Sequence, residues 1–323
     1  MRKRKLLSNL ALSLVTVLAF LFLSELTLRF FYPVIKSYDL EMWRYSLSGK
    51  ILIKNNFHEN KPNSYLKNIY GVDIKINSKG LRDYEYDYSK PSGVYRILVL
   101  GDSLTLGWGV PFEYTYPKYL EKMLNETGNI KYQVINAGVG NYNLQSEVMF
   151  LKKEGLKYNP DMIILGYFVN DAEILRPTLY FLNRHSYLYT YIWSKFNILK
   201  AKFFKKNYKE YYQSLYKKGS KTKEQFEALA EELKQIVREK NIPLLVLLLP
   251  ELHNLKEYAF EDIHAYVRNI FKDCPIIDML SYFDRNLPFG FYWVSKEDPH
   301  YNQKAHKIVS ENLFLTLMKL KNN

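Results

Sequence analysis

From Tyr95 onward short apolar runs alternate with amphipathic stretches, and this rhythm restricts the fold more than any other feature of the chain. The runs are YRILVLG (95–101), YQVINAG (132–138), DMIILGYF (161–168), PLLVLLLP (243–250) and PIIDM (275–279). Each is apolar on both faces, as strands of a parallel sheet covered on both sides must be. Between and after them lie helical patterns at 114–126, 143–157, 222–240, 255–271 and about 302–320. Such alternation predicts an α/β fold, a five-stranded parallel sheet in a three-layer α/β/α arrangement. One interval breaks the rhythm: about 70 residues separate Asp171 from the run at 243, where a crossover helix needs roughly 15–20. The helix at 222–240 fills its end, and 176–221 is left as an insertion, with 13 aromatic residues from Tyr180 to Tyr216.

Charge is as unevenly placed as the aromatics. The chain carries 46 Lys and Arg against 33 Asp and Glu, a net +13. Arg2, Lys3, Arg4 and Lys5 supply four of these positive charges, and 195–223 holds ten Lys with the single acid Glu210. The remaining 32 basic and 32 acidic residues cancel. A nucleic-acid binder spreads its basic charge over the fold, so that class is disfavoured. An apolar fraction of 47% excludes wholesale disorder. Cys274, the single cysteine, excludes an intrachain disulfide framework and CxxC-type metal or redox sites.

The 19 residues between Lys5 and Glu25 carry no charge, and as a helix they span about 28 Å, close to the hydrocarbon thickness of a bilayer. A cleaved signal peptide has a shorter apolar region ending in small residues. Here the run ends in SELTLRFFYP, so an uncleaved anchor over 6–24 is expected. The basic tail 1–5 then stays cytoplasmic and the rest lies across the membrane, periplasmic or extracellular. Residues 25–90, rich in Tyr, Asn and Lys, read as a stalk or packing arm before a catalytic domain at 91–323.

The first apolar run passes directly into Gly101-Asp102-Ser103-Leu104. A serine at the carboxyl end of a parallel strand stands where open α/β sheets place their sites, although a serine there can equally cap a helix. The full segment RILVLGDSLTLGWGV resembles block I of the SGNH (GDSL-type) hydrolase superfamily. VINAGVGNYN (134–143) resembles block II, YFVNDA (167–172) block III and DPHYNQKAH (298–306) block V. NSKGLRD (77–83) is similar to a segment upstream of block I in membrane-anchored bacterial members.

The resemblance implies a flavodoxin-like SGNH fold and a serine esterase. Ser103 would be the nucleophile and His300 the base. The oxyanion hole would comprise the Ser103 N–H, the Asn141 N–H and the Asn170 side-chain amide, while Asp171 orients the block III turn. Most relatives place the acid three residues before the histidine, at Glu297 here. Asp298 stands two before, on a segment stiffened by Pro299, and is preferred. Asn141 replaces a usual glycine, next to Gly140, and asparagine tolerates left-handed backbone better than most residues. Phe168 replaces the glycine that opens block III, which narrows the expected pocket. No cofactor or metal is implied. His58, His185, His253 and His264 read as surface or packing residues, and His306 falls on a different helical face from His300. Trp108 and Phe112 suit either an acyl pocket or the core.

The insertion admits two readings: a helix at a lipid surface, with Tyr187, Tyr191, Trp193, Phe196, Phe203 and Phe204 among lysines, or a cap on the catalytic domain. The expected reaction is removal of an acyl group, such as acetyl, from a carbohydrate or lipid ester at the cell envelope. An O-acyltransferase of cell-surface polysaccharide assembly would use the same centre, and a silent glycan-binding domain would keep only the fold.

Overall fold

In the computed structural model, residues 2–35, 38–53, 57–128, 130–174, 186–203 and 208–322 are described. The chain divides into two compact units, one of 1–47 with 178–206 and one of 48–177 with 207–323. The parts of the insertion at 176–185 and 204–207, with Tyr180, His185 and Phe204, lie outside the described residues.

The first unit is helical. Helix α1 (Arg2–Ile35) contains one stretch, Arg4–Phe31, long and apolar enough to cross a membrane, and its leucines from Leu6 to Leu23 and its phenylalanines are exposed. Helix α2 (Tyr38–Ser48) follows, and α6 (Tyr187–Phe203) comes from the insertion. The first amides of a helix lack intrahelical partners. Here the Glu25 carboxylate accepts from the Tyr187 N–H at 3.0 Å, the Leu188 N–H at 2.9 Å and the Ser186 hydroxyl at 2.8 Å. Trp43 of α2 meets Tyr187 edge-on, with ring centroids 4.4 Å apart.

The second unit carries the sheet. Two antiparallel hairpins open it: β1 (Lys50–Leu52) with β2 (His58–Asn60), and β3 (Tyr65–Ile69) with β4 (Val72–Lys75). Five parallel strands follow, β5 (Val94–Gly101), β6 (Lys131–Gly138), β7 (Met162–Tyr167), β8 (Leu244–Leu248) and β9 (Ile276–Asp278), in spatial order β6-β5-β7-β8-β9. Successive side chains of a strand face opposite layers, and the core splits accordingly. Leu98, Leu100, Ile163, Leu165, Val246 and Leu248 face α5 (Leu144–Lys153), α8 (Lys221–Glu239) and α9 (Glu261–Ile270). Ile97, Val99, Ile164, Leu245 and Leu247 face α4 (Tyr116–Glu126) and α10 (Gln303–Asn322). Every side chain of β8 is buried, each contributing about 1.5–3 kcal/mol.

The α/β/α expectation therefore holds, with shorter elements in two places. The pattern at 255–271 becomes helical only from Glu261, because the Asn254 side chain accepts the Glu257 N–H at 3.1 Å and gives the backbone a turn instead. The pattern at 143–157 divides into α5 and a 3-10 turn, Gly155–Tyr158. A short helix, α7 (Tyr208–Leu215), precedes α8, and a last hairpin, β10 (Trp293–Ser295) with β11 (Asp298–Tyr301), precedes α10. The first strand lies between the second and third, so the order reverses beside β5. A crevice opens at such a switch point, outside the carboxyl ends of the strands.

Candidate active site

Gly101, Gly138 and Gly166 stand side by side at the carboxyl ends of β5, β6 and β7. A Cβ on Gly138 would lie 2.1 Å from the Leu106 nitrogen, and one on Gly101 2.0 Å from Thr105 Oγ1. The missing side chains let a four-residue helix, α3 (Ser103–Leu106), sit directly on the end of the sheet. Asp102 caps it, its Oδ1 accepting the Leu104 N–H at 2.8 Å. Gly107, at φ +79°, ends it in left-handed geometry. Buried Arg82 then donates to the carbonyls of Leu106 (3.0 Å), Gly107 (2.6 Å) and Val110 (2.8 Å). Its neighbour Asp83 accepts from Lys118 at 2.7 Å and from the Asn136 N–H at 2.6 Å. The NSKGLRD segment thus braces blocks I and II from below.

Asp298 and His300 share a face of β11, two residues apart as strand geometry allows. His300 Nδ1 lies 2.5 Å from Asp298 Oδ1, and His300 Nε2 lies 2.8 Å from Ser103 Oγ. A carboxylate only accepts, so Nδ1 carries the proton and the Nε2 lone pair faces the hydroxyl. Burial would raise the Asp298 pKa, but the His300 charge, the His300 ring and backbone N–H groups and the Trp108 indole outweigh it and hold the acid below its ordinary range. Trp108 is thus neither a pocket wall nor plain core: its Nε1–H donates to Asp298 Oδ2 at 2.9 Å. Nothing in the residues around Trp108 pointed to that bond, which spans 190 positions. Glu297 is exposed in the turn before β11, its N–H directed to Ser295 Oγ at 3.3 Å.

Asn141 adopts φ +66°, the left-handed conformation that the usual glycine would take. Asn170 lies beside the site, but its amide donates to Asp102 Oδ2 and to the Tyr142 carbonyl, each at 3.2 Å. Donation to an oxyanion would require it to exchange one of these long bonds. Asp171 Oδ2 accepts the Phe168 N–H at 3.2 Å across the block III turn. Phe168 itself is half-buried and packs against both core layers.

Glu147, which the sequence did not single out, joins Asp171 and Asp102 in a buried group of acids. Glu147 Oε1 and Oε2, Asp171 Oδ1 and Asn170 Oδ1 are buried acceptors without a hydrogen-bond partner among the described residues. Burial, then the charge of Asp102, raises the Glu147 pKa well above its ordinary value. Burial, then the charges of Glu147 and Asp102, does the same for Asp171, and Asp102 is itself pushed up by burial to about 6.

Among the other histidines, His306 is buried, stacked on Tyr116, and accepts the Tyr116 N–H at 3.1 Å. Burial lowers its pKa to about 3. His253 pairs with Glu251, and His264 is buried between Asp278 Oδ1 and the Tyr258 hydroxyl, both at 2.9 Å. Phe112 meets Tyr84 edge-on. No group of three His, Cys, Asp or Glu among the described residues is arranged to hold a metal ion.

The family model described as GDSL-like Lipase/Acylhydrolase family matches residues 99–308. Similar solved structures include the acetyl xylan esterase AlAXEase, 20% identical, covering 69% of this chain and 99% of its own, with a TM-score of 0.45. A two-domain esterase active on acetylated mannans is 18% identical over 71% of this chain, with a TM-score of 0.44, and the match spans 50% of that protein. The lipase/acylhydrolase from Enterococcus faecalis is 14% identical over 70% of this chain and 94% of its own, with a TM-score of 0.42. No curated protein sequence matches the chain.

Proposed function

The chain belongs to the GDSL-like lipase/acylhydrolase family, and from that premise we propose a serine esterase that removes a short acyl group, in the first instance acetyl, from a carbohydrate or lipid ester at the cell envelope. One observation carries the reading: carboxylate, imidazole and hydroxyl follow one another at 2.5 Å and 2.8 Å at the end of β5. In this mechanism His300 takes the Ser103 proton as Oγ attacks the ester carbonyl. Asp298 holds the ring tautomer and stabilises the imidazolium. The negative oxygen of the tetrahedral intermediate is received by the Ser103 and Asn141 N–H groups and by Asn170 once its amide turns from Asp102 or Tyr142. Collapse expels the alcohol, which takes the proton from His300. Water activated by the same ring then releases the acid and frees the serine.

The full-length chain in detergent should hydrolyse p-nitrophenyl acetate, and Ser103→Ala should lower kcat by about 10³-fold or more. Failure of a fluorophosphonate to label Ser103, with no hydrolysis, would leave a silent domain. Acyl transfer to an added sugar faster than hydrolysis would assign a transferase. In the same reading α1 is an uncleaved single-pass anchor with Arg2, Lys3, Arg4 and Lys5 in the cytoplasm. Protease added outside spheroplasts should then digest the catalytic unit, and protection would reverse the topology.

A further inference from the structure

The hairpin β1–β2 lies outside the residues that the family model covers, yet it reaches block II with three side chains. Lys50 Nζ hydrogen-bonds the Gly140 carbonyl. His58 Nε2 lies 3.1 Å from the same oxygen and 3.2 Å from Lys50 Nζ. Asn60 Nδ2 donates to the Gly138 carbonyl at 3.4 Å. The carbonyl just before Asn141 is thus held by the Lys50 ammonium, with the His58 ring beside both.

The peptide unit couples that grip to the site. No peptide bond in the described chain is cis, so the Gly140 C=O and the Asn141 N–H point in opposite directions across one rigid plane. A cation on the oxygen fixes where the N–H points and, by polarising the amide, strengthens it as a donor. We propose that Lys50, in its ammonium form and oriented by His58, is the positioning residue of the oxyanion hole: it holds and polarises the Gly140–Asn141 peptide so that the Asn141 N–H receives the developing negative charge. This rests on the esterase reading above.

The pair has two protonation states with different consequences. Burial lowers the Lys50 pKa to about 7. Burial, then the charge of Lys50, lowers that of His58 to about 3, so the ring is neutral throughout the working range. His58 is the titratable group that the described contacts place against Lys50 from β2, and block II faces it with a carbonyl; Glu59 is turned to Lys153 on α5 at 2.6 Å. Below the Lys50 pKa the ammonium donates to both the carbonyl and His58 Nε2. Above it, His58 with its proton on Nε2 keeps the carbonyl paired, but the charge is gone. Geometry survives the titration and polarisation does not.

The test is kcat for p-nitrophenyl acetate against pH in the full-length wild type and in Lys50→Met, with thermal melting of both. Wild-type kcat should fall as pH rises through about 7, without unfolding. Lys50→Met should lose about 10–100-fold at pH ~6.5 with KM within about twofold, and should converge on wild type at pH ~9. A loss by the same factor at every pH would mean a structural role and overturn the proposal. If Lys50→Met does not fold, the wild-type profile decides alone: a flat kcat between pH ~6.5 and ~9 overturns it. A wild type that neither turns over the ester nor takes fluorophosphonate refutes the esterase reading instead.

Discussion

Asp298 is buried against His300, while Glu297, three positions before the ring, is exposed and directs its N–H to Ser295 Oγ. Asp298→Ala should therefore lower kcat by about 10²–10⁴-fold and Glu297→Ala by less than about twofold; the reverse ranking would move the acid to Glu297. Trp108→Phe removes a single hydrogen bond to Asp298 and should reduce kcat by about 10–100-fold with KM unchanged, the strength of a bond to a charged group. Glu147 offers a test through stability. Its pKa in the folded chain is raised, so as pH climbs past the ordinary glutamate range the unfolded chain releases a proton that the folded one keeps. Stability conferred at low pH is then lost until the folded group also ionises. Glu147→Gln keeps the shape and the neutral state, and each unit of the shift it removes is about 1.4 kcal/mol. Its Tm should exceed that of wild type by about 2–4 °C or more near pH 8 and approach it near pH 5, as melting curves will show. A variant less stable than wild type at both pH values would mean that an ionised Glu147 supports the fold. The preference for Asp298 rests in the sequence on the extended D-P-H segment stiffened by Pro299, and the structure sets its Oδ1 2.5 Å from His300 Nδ1. Glu147 was not legible, since nothing in a ten-residue amphipathic helix tells which polar residue faces inward toward two other acids.

Elements explain why the serine stands where it does. The strands could be read from sequence because a strand buried on both faces must be apolar at every position, and β5 to β9 each fall within one or two residues of those runs. The three glycines are visible as letters, but their purpose is not: only the parallel register sets them in one row and lowers α3 onto the sheet. A methyl group on Gly138 would strike backbone, which cannot rotate away, whereas one on Gly128 would meet nothing closer than 3.8 Å. Gly138→Ala should cost more than about 2 kcal/mol in denaturant unfolding, and Gly128→Ala less than about 0.5. Equal, small effects would mean that α3 can shift outward freely. Arg82 works at the same level. It ties a loop twelve residues before β5 to the carbonyls that end α3, a link that no local periodicity encodes.

For the whole molecule, the division into two units separates an apolar helical part from a unit with its own two-layered core. Excising 1–47 and joining 177 to 207 through a short linker should leave a soluble protein that unfolds cooperatively and retains p-nitrophenyl acetate hydrolysis within about tenfold. Insolubility with loss of the near-UV signal would show that the core needs the removed helices. Within the helical unit, Glu25 closes the start of α6 from more than 160 residues away, a pairing that turns part of the insertion into a companion of the N-terminal helix. Local pattern alone determined the layered α/β architecture and the apolar N-terminal stretch, because burial on two faces and bilayer-length hydrophobicity are written in consecutive residues, whereas the roles expected of Ser103 and His300 came from the family resemblance. Tertiary structure alone decided that Trp108 holds the acid, that three carboxyls share one buried space, that Arg82 and Lys50 reach the loops of blocks I and II, and that Glu25 caps α6. Those contacts join distant segments, and their geometry follows from how layers pack, not from the period of any one of them.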